Sequence, residues 1–166
     1  FTKLDVSGPG AVEFLQSITG NDVDCHIGRV VYTAMLTRSG GIKCDLTMVR
    51  LAEDQFIVIT GGAFGRHDEA WIRRQAPSGD AVAITDITGS LCCVSVWGPR
   101  SRTLMGRVSN DDFSNEGFPF MACGEVTVCG GMPARLFRIS FSGELAYEVA
   151  VPARYGNSMM DVLMEA

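Results

Sequence analysis

Leu4-Asp5-Val6-Ser7-Gly8-Pro9 is matched further along the chain by Val94-Ser95-Val96-Trp97-Gly98-Pro99, at an offset of 90. Both stretches alternate side chains as a strand with one buried face does, and both close on Gly-Pro, which interrupts a strand. Helical spacing follows each of them. Phe14, Leu15 and Ile18, joined by Val12, correspond to Leu104, Met105 and Val108, and Pro9 suits a first helical turn. Two strand–turn–helix units in the same order and phase point to an internal duplication. The expected fold class is α+β, made of two related sheet-and-helix halves, residues 1–89 and 90–166, with the second read as truncated at its C-terminus.

Between these units the first half reads as strands at Arg29–Thr37, Ile42–Leu51 and Gln55–Thr60, rich in β-branched and apolar residues, with Ser39-Gly40-Gly41 as a hairpin turn. A helix is expected over Ala63–Gln75, with Asp68 and Glu69 early and Arg73 and Arg74 late, the order that complements a helix dipole. Aligning Ser39-Gly40 with Ser142-Gly143 sets Leu36 against Ile139, Leu46 against Val149 and Asp45 against Glu148. That register gives each half one carboxylate at the same place on its hairpin, where a ligand across the junction could meet both. Chance similarity between two amphipathic hairpins is the competing explanation.

Composition narrows the function classes. Hydrophobic residues make up 46% and charged residues 20% of 166, enough to build a core. The net charge of −5 supplies no basic face for nucleic acid or for anionic membranes. The longest apolar runs, such as Phe56-Ile57-Val58-Ile59, have strand length and span no bilayer. Phe1 is not a natural start, so the chain reads as a piece of a larger protein. The six cysteines include no C-x-x-C pair, and His26 and His67 stand far from a second ligand, so no metal site is expected. Cysteines inside apolar strands suit a reducing, cytoplasmic-type compartment. Gly61-Gly62-Ala63-Phe64-Gly65 lacks the spacing of a phosphate-binding loop. Trp71 and Trp97 read as core residues.

Two strands carry residues with chemical potential. In Ile42–Arg50, Asp45, Thr47 and Val49 share a face. Asp is unusual inside a strand, and a solvated face is the simplest reading. The alternative is a carboxylate held beside a ligand nitrogen, orienting it or taking its proton. Around Glu148, the small residues Ala146 and Ala150 leave room for a flat ring, and a carboxylate can accept two parallel N–H bonds from an amino-pyrimidinone edge.

Four segments in order resemble the aminomethyltransferase family, which includes the glycine-cleavage T-protein and the folate domain of flavin-dependent dimethylglycine and sarcosine dehydrogenases. They are Phe1–Pro9, Val31–Leu36, Gly40–Thr47 and Ser142–Glu148. The stretches Arg50–Phe56, Trp71–Arg74 and Ser114–Phe120 are closer to the flavin-fused branch. The resemblance implies tetrahydrofolate as ligand, with Asp45 as the catalytic residue near its reacting nitrogens and Glu148 gripping the pterin edge. It further implies Tyr32, Thr47, Phe141, Ile57, Ile59 and Gly61 as pocket residues. FAD would lie in a separate domain outside this chain and oxidise an N-methylated amine such as dimethylglycine or sarcosine. The flavin domain and a C-terminal region of the same polypeptide are the implied partners. Cys44 departs from the family's double Asp, Phe141 from a usual Tyr, and Ala146 from a common Gly. A T-protein fragment, a non-catalytic folate-binding regulator and a bare scaffold are the other readings.

Overall fold

The computed structural model describes all residues, 1–166, and the chain divides into two compact units, Phe1–Thr88 and Gly89–Ala166. The first contains β1 (Thr2–Ser7), α1 (Ala11–Ile18), β2 (Val30–Leu36), β3 (Ile42–Ala52), β4 (Gln55–Thr60), α2 (Gly65–Gln75) and β5 (Ala83–Asp86). The second contains β6 (Leu91–Trp97), α3 (Ser101–Val108), β7 (Cys123–Val128), β8 (Met132–Phe137), β9 (Ala146–Pro152) and α4 (Gly156–Glu165). The sheets run β2-β3-β4-β1-β5 and β7-β8-β9-β6, with every pairing antiparallel.

In each unit the helices cover one face of the sheet. Ala11, Phe14, Leu15 and Ile18 of α1 and Ile72 of α2 meet Leu4, Val6, Met35, Leu46, Met48, Phe56 and Val58. In the second unit, Met105 and Val108 of α3 and Met159 and Leu163 of α4 meet Val96, Leu136, Tyr147, Val149 and Val151. Each large apolar side chain taken fully from water contributes about 1.5–3 kcal/mol, so each sheet–helix layer has a core of its own. Tyr147 is fully buried yet satisfied, donating to the Phe113 carbonyl at 3.2 Å and accepting from Arg102 Nε at 3.2 Å.

The duplication extends to backbone detail. Gly8 and Gly98 have φ of +119° and +117°, a region that favours glycine. Their carbonyls accept from Ala11 N at 2.9 Å and Ser101 N at 3.0 Å, starting helices of eight residues each. Pro9 sits in the turn before α1, and Gly10 holds the N-cap position. Both second helices begin on a buried glycine pressed against the first strand. A Cβ on Gly65 would lie 1.8 Å from Thr2 Oγ1, and one on Gly156 2.8 Å from Cys92 Sγ.

Strand order corrects the alignment of the hairpins. β9 lies beside β6 as β4 lies beside β1, so β9 corresponds to β4. Glu148 pairs with Ser95 where Ile57 pairs with Asp5, so Glu148 stands in the place of Ile57 and not of Asp45. The likeness of Ser39-Gly40 to Ser142-Gly143 is a local turn likeness, and strand order depends on pairing between residues far apart in sequence.

Candidate functional site

Asp45, Thr47 and Val49 project from the β3 face opposite the helices, and the neighbouring strands continue that face in register. Tyr32 of β2 pairs with Thr47, which pairs with Ile59 of β4; Val30, Val49 and Ile57 form the next row. The second row is fully buried, whereas Tyr32 and Asp45 are exposed and Thr47, Ile59 and Gly61 half-buried. One end of the face is therefore closed and the other open, and the open end carries the polar groups. Asp45 lies opposite Ala34, whose small side chain leaves its carboxylate room to reach diagonally to Tyr32. The Tyr32 phenol donates a hydrogen bond to Asp45 Oδ2. That bond raises the phenol's pKa above the ordinary tyrosine value, because deprotonation would set a phenolate against a carboxylate. Asn21, just past α1, fixes β2 from the side. Its Nδ2 donates to the Tyr32 carbonyl at 2.7 Å, and its backbone N–H to Thr33 Oγ1 at 3.0 Å.

Glu148 is half-buried on the helix-free face of the second sheet, between Ser95 and Phe137. Ala146 and Ala150 flank it, both buried, and Phe137 is 2% exposed. The Cys93 thiol approaches Glu148 Oε2 at 4.0 Å. Phe141 lies apart from the strands, in the loop between β8 and β9, with its ring fully exposed. Trp97, expected in the core, is 64% exposed at the end of β6. A concavity of about 500 Å³ is lined by Trp97, Pro99, Arg100, Thr103 and Leu104 and includes neither Asp45 nor Glu148. It holds no acid, base or nucleophile paired for chemistry.

A second polar group escaped the sequence reading. Asp68, in the first turn of α2, is 1% exposed and accepts from Thr60 Oγ1. His67 Nδ1 lies 3.3 Å from Asp68 Oδ1, and its Nε2 lies 3.0 Å from Lys43 Nζ. In the second half the same helical position is Met159, fully buried. The available signal was a charged residue at a core-facing helical position, which a dipole argument had already explained. No group of three or more His, Cys, Asp or Glu residues is placed to hold a metal ion. No helix is long and apolar enough to cross a membrane.

The family described as the GCVT N-terminal domain matches residues 1–166. The chain belongs to that family. It is 41% identical over 160 residues to sarcosine oxidase subunit alpha from Corynebacterium sp. (strain P-1), covering 93% of this chain and 16% of that protein. It is 36% identical over 166 residues to 4-methylaminobutanoate oxidase (formaldehyde-forming) from Paenarthrobacter nicotinovorans, covering all of this chain and 20% of that protein. The chain thus spans a fifth or less of these relatives' length. Its fold matches the crystal structure of glycine cleavage system aminomethyltransferase T from Bartonella henselae, with a TM-score of 0.83 and 24% identity over 98% of this chain and 43% of that one. The α+β architecture of two sheet-and-helix halves is the aminomethyltransferase fold, and the chain is a domain of an enzyme family.

Proposed function

We propose that this chain is the tetrahydrofolate-binding domain of a flavin-dependent oxidase or dehydrogenase of N-methylated amines, of the dimethylglycine or sarcosine type. In this reading the one-carbon unit is captured as 5,10-methylenetetrahydrofolate. The observation that carries the reading is the Tyr32–Asp45 pair at the open end of an otherwise closed sheet face, with Thr47, Ile59 and Gly61 beside it. A relative named as forming formaldehyde supports the choice of one-carbon chemistry.

The residues fit a folate. Asp45 is an exposed carboxylate already oriented by a phenol, and Glu148 is flanked by two alanines that leave space for a flat ring. Tetrahydrofolate supplies two amine nitrogens that exchange their hydrogens for one shared carbon, so that formaldehyde is taken up with loss of water. Asp45 accepts a proton from an attacking nitrogen and stabilises the positive charge that develops there. Tyr32 holds the carboxylate in one rotamer, which lowers the ordering cost of that encounter. Glu148 accepts two N–H bonds from the amino-pyrimidinone edge. Thr47, Ile57, Ile59 and Gly61 shape the face for the ligand, and Phe141 offers a ring for stacking. FAD belongs to another domain in this proposal, and none of the roles above passes through it.

The test is product partitioning in the full-length enzyme at saturating tetrahydrofolate. Asp45→Asn should leave amine oxidation running and release free formaldehyde in place of methylenetetrahydrofolate. Glu148→Ala should weaken folate binding by about 2–3 kcal/mol, on the order of a hundredfold in dissociation constant. Unchanged partitioning in Asp45→Asn with folate still bound would remove Asp45 from the mechanism.

A further inference from the structure

Lys43 stands at an irregularity in β3. Met35 of β2 pairs with Cys44 and Leu36 with Ile42, so Lys43 is the extra residue of a β-bulge, two residues before Asp45. A bulge re-aims a side chain out of the regular alternation of its strand. Here the ammonium reaches α2, where Nζ lies 3.0 Å from His67 Nε2. The other imidazole nitrogen, Nδ1, lies 3.3 Å from Asp68 Oδ1, and Asp68 Oδ2 accepts from Thr60 Oγ1. Asp68 is buried, whereas the His67 side chain is 55% exposed, so this line of groups runs from the core to solvent. An ammonium has only protons to give. Nε2 therefore accepts from Lys43, and the imidazole proton sits on Nδ1, facing Asp68.

We propose that Lys43 is a nucleophile for small aldehydes, with His67 as its base and Asp68 as the residue that positions the base. A nucleophile, a base within hydrogen-bond reach and a third group orienting that base form the arrangement that activates side chains for covalent chemistry. When a Lys43 proton moves to His67, the imidazolium donates back to the amine through Nε2 and to the carboxylate through Nδ1. The Asp68 charge stabilises that imidazolium, and with it the state in which Lys43 has a free lone pair. With formaldehyde, the lone pair attacks the carbonyl carbon. The two remaining amine hydrogens leave with the carbonyl oxygen as water, and the product is an imine, Nζ=CH2. The proton held on His67 converts it to the more reactive iminium, and nothing is oxidised or reduced. In the proposed function the acceptor is close at hand, because Asp45 lies no more than about 7 Å along the strand. One folate N–H adds across the C=N bond, and the second folate nitrogen displaces the lysine amine. Both folate hydrogens return to Nζ, and the carbon ends between the two folate nitrogens. Formaldehyde as the aldehyde rests on the proposed function, whereas nucleophile, base and positioning residue follow from distances within the first unit.

The experiment is reductive trapping on the full-length protein. Brief exposure to isotopically labelled formaldehyde is followed by cyanoborohydride, which reduces imines, and by peptide mass spectrometry. Lys3, whose Nζ donates to the Phe1 carbonyl at 3.2 Å, is the internal standard. Lys43 should gain label at least about tenfold faster than Lys3, a fraction of the usual gain from a positioned base. His67→Gln should bring the two rates together. Asp68→Asn, which keeps the shape and removes the charge, should lower the ratio as well. Tetrahydrofolate added before the reductant should discharge Lys43 selectively, lowering its label relative to that of Lys3. Equal rates at Lys43 and Lys3 in the unaltered protein overturn the proposal, and so does a ratio that His67→Gln leaves unchanged. Fast labelling of Lys43 that tetrahydrofolate does not discharge upholds the amine as nucleophile and counts against folate as its acceptor.

Discussion

The phenol of Tyr32 and the carboxylate of Asp45 form a pair that can be read directly in solution. The hydrogen bond to Asp45 raises the Tyr32 pKa, so this residue should ionise at higher pH than an ordinary tyrosine. Ultraviolet titration should show a late tyrosine transition that Asp45→Asn shifts back toward the usual value. If Asp45→Asn leaves the curve unchanged, the two groups are not bonded in solution. Two thiols set a different pH dependence. Burial pushes Cys44 up to about 12, with the nearby Asp68 charge adding to it, and burial pushes Cys123 up to about 12 against the lowering effect of the Arg135 charge. Between the ordinary value of 9.0 and about 12 the unfolded chain has lost protons that the folded chain keeps. The folded state should therefore lose stability as pH rises through that window, and retain this contribution fully below it. Denaturant midpoints measured from pH 8 to pH 11 should fall, and fall less in a Cys44→Ala, Cys123→Ala variant.

Helix starts are where the duplicated frame is tightest. Gly65→Ala should destabilise the protein by about 3 kcal/mol or more, because the new methyl would overlap Thr2, whose Cβ lies only 2.7 Å away. Gly156→Ala should cost less, because its nearest neighbour is the side chain of Cys92 at 2.8 Å. Thermal melts of both variants, with Thr2→Gly added to Gly65→Ala as rescue, check the ranking. These glycines were not legible in the sequence, because the contact joins a helix start to a strand about sixty residues earlier. The strand–Gly-Pro–helix units were legible, since period, turn and helical spacing are local and recur at one offset. The bounds of β4 follow from the same kind of local signal. Which strand β9 neighbours is a long-range fact, and the similarity of two turns misassigned it. The shared face of Tyr32, Asp45, Thr47 and Ile59 came from alternation and family likeness together. Asp68 was missed because a surface role explained it adequately.

At the scale of the molecule, each half carries its own core, and the first sheet has an edge strand, β5, beyond β1, whereas β6 is the last strand of the second sheet. An unpaired edge strand is a template for another strand. The 166-residue chain by itself should therefore self-associate in a concentration-dependent way, and Ser95→Lys, placing a charge on that exposed edge, should reduce it. Sedimentation velocity over a tenfold concentration range is the measurement, and identical behaviour of the two proteins would show that β6 is not the sticky edge. The two halves differ in their carboxylates as well. Glu148 stands where the other half has Ile57, and the place of Asp45 in the second half falls on Pro133 of β8. A repeat of the first half in place of the second would therefore carry no counterpart of Glu148, and a repeat of the second in place of the first no counterpart of Asp45.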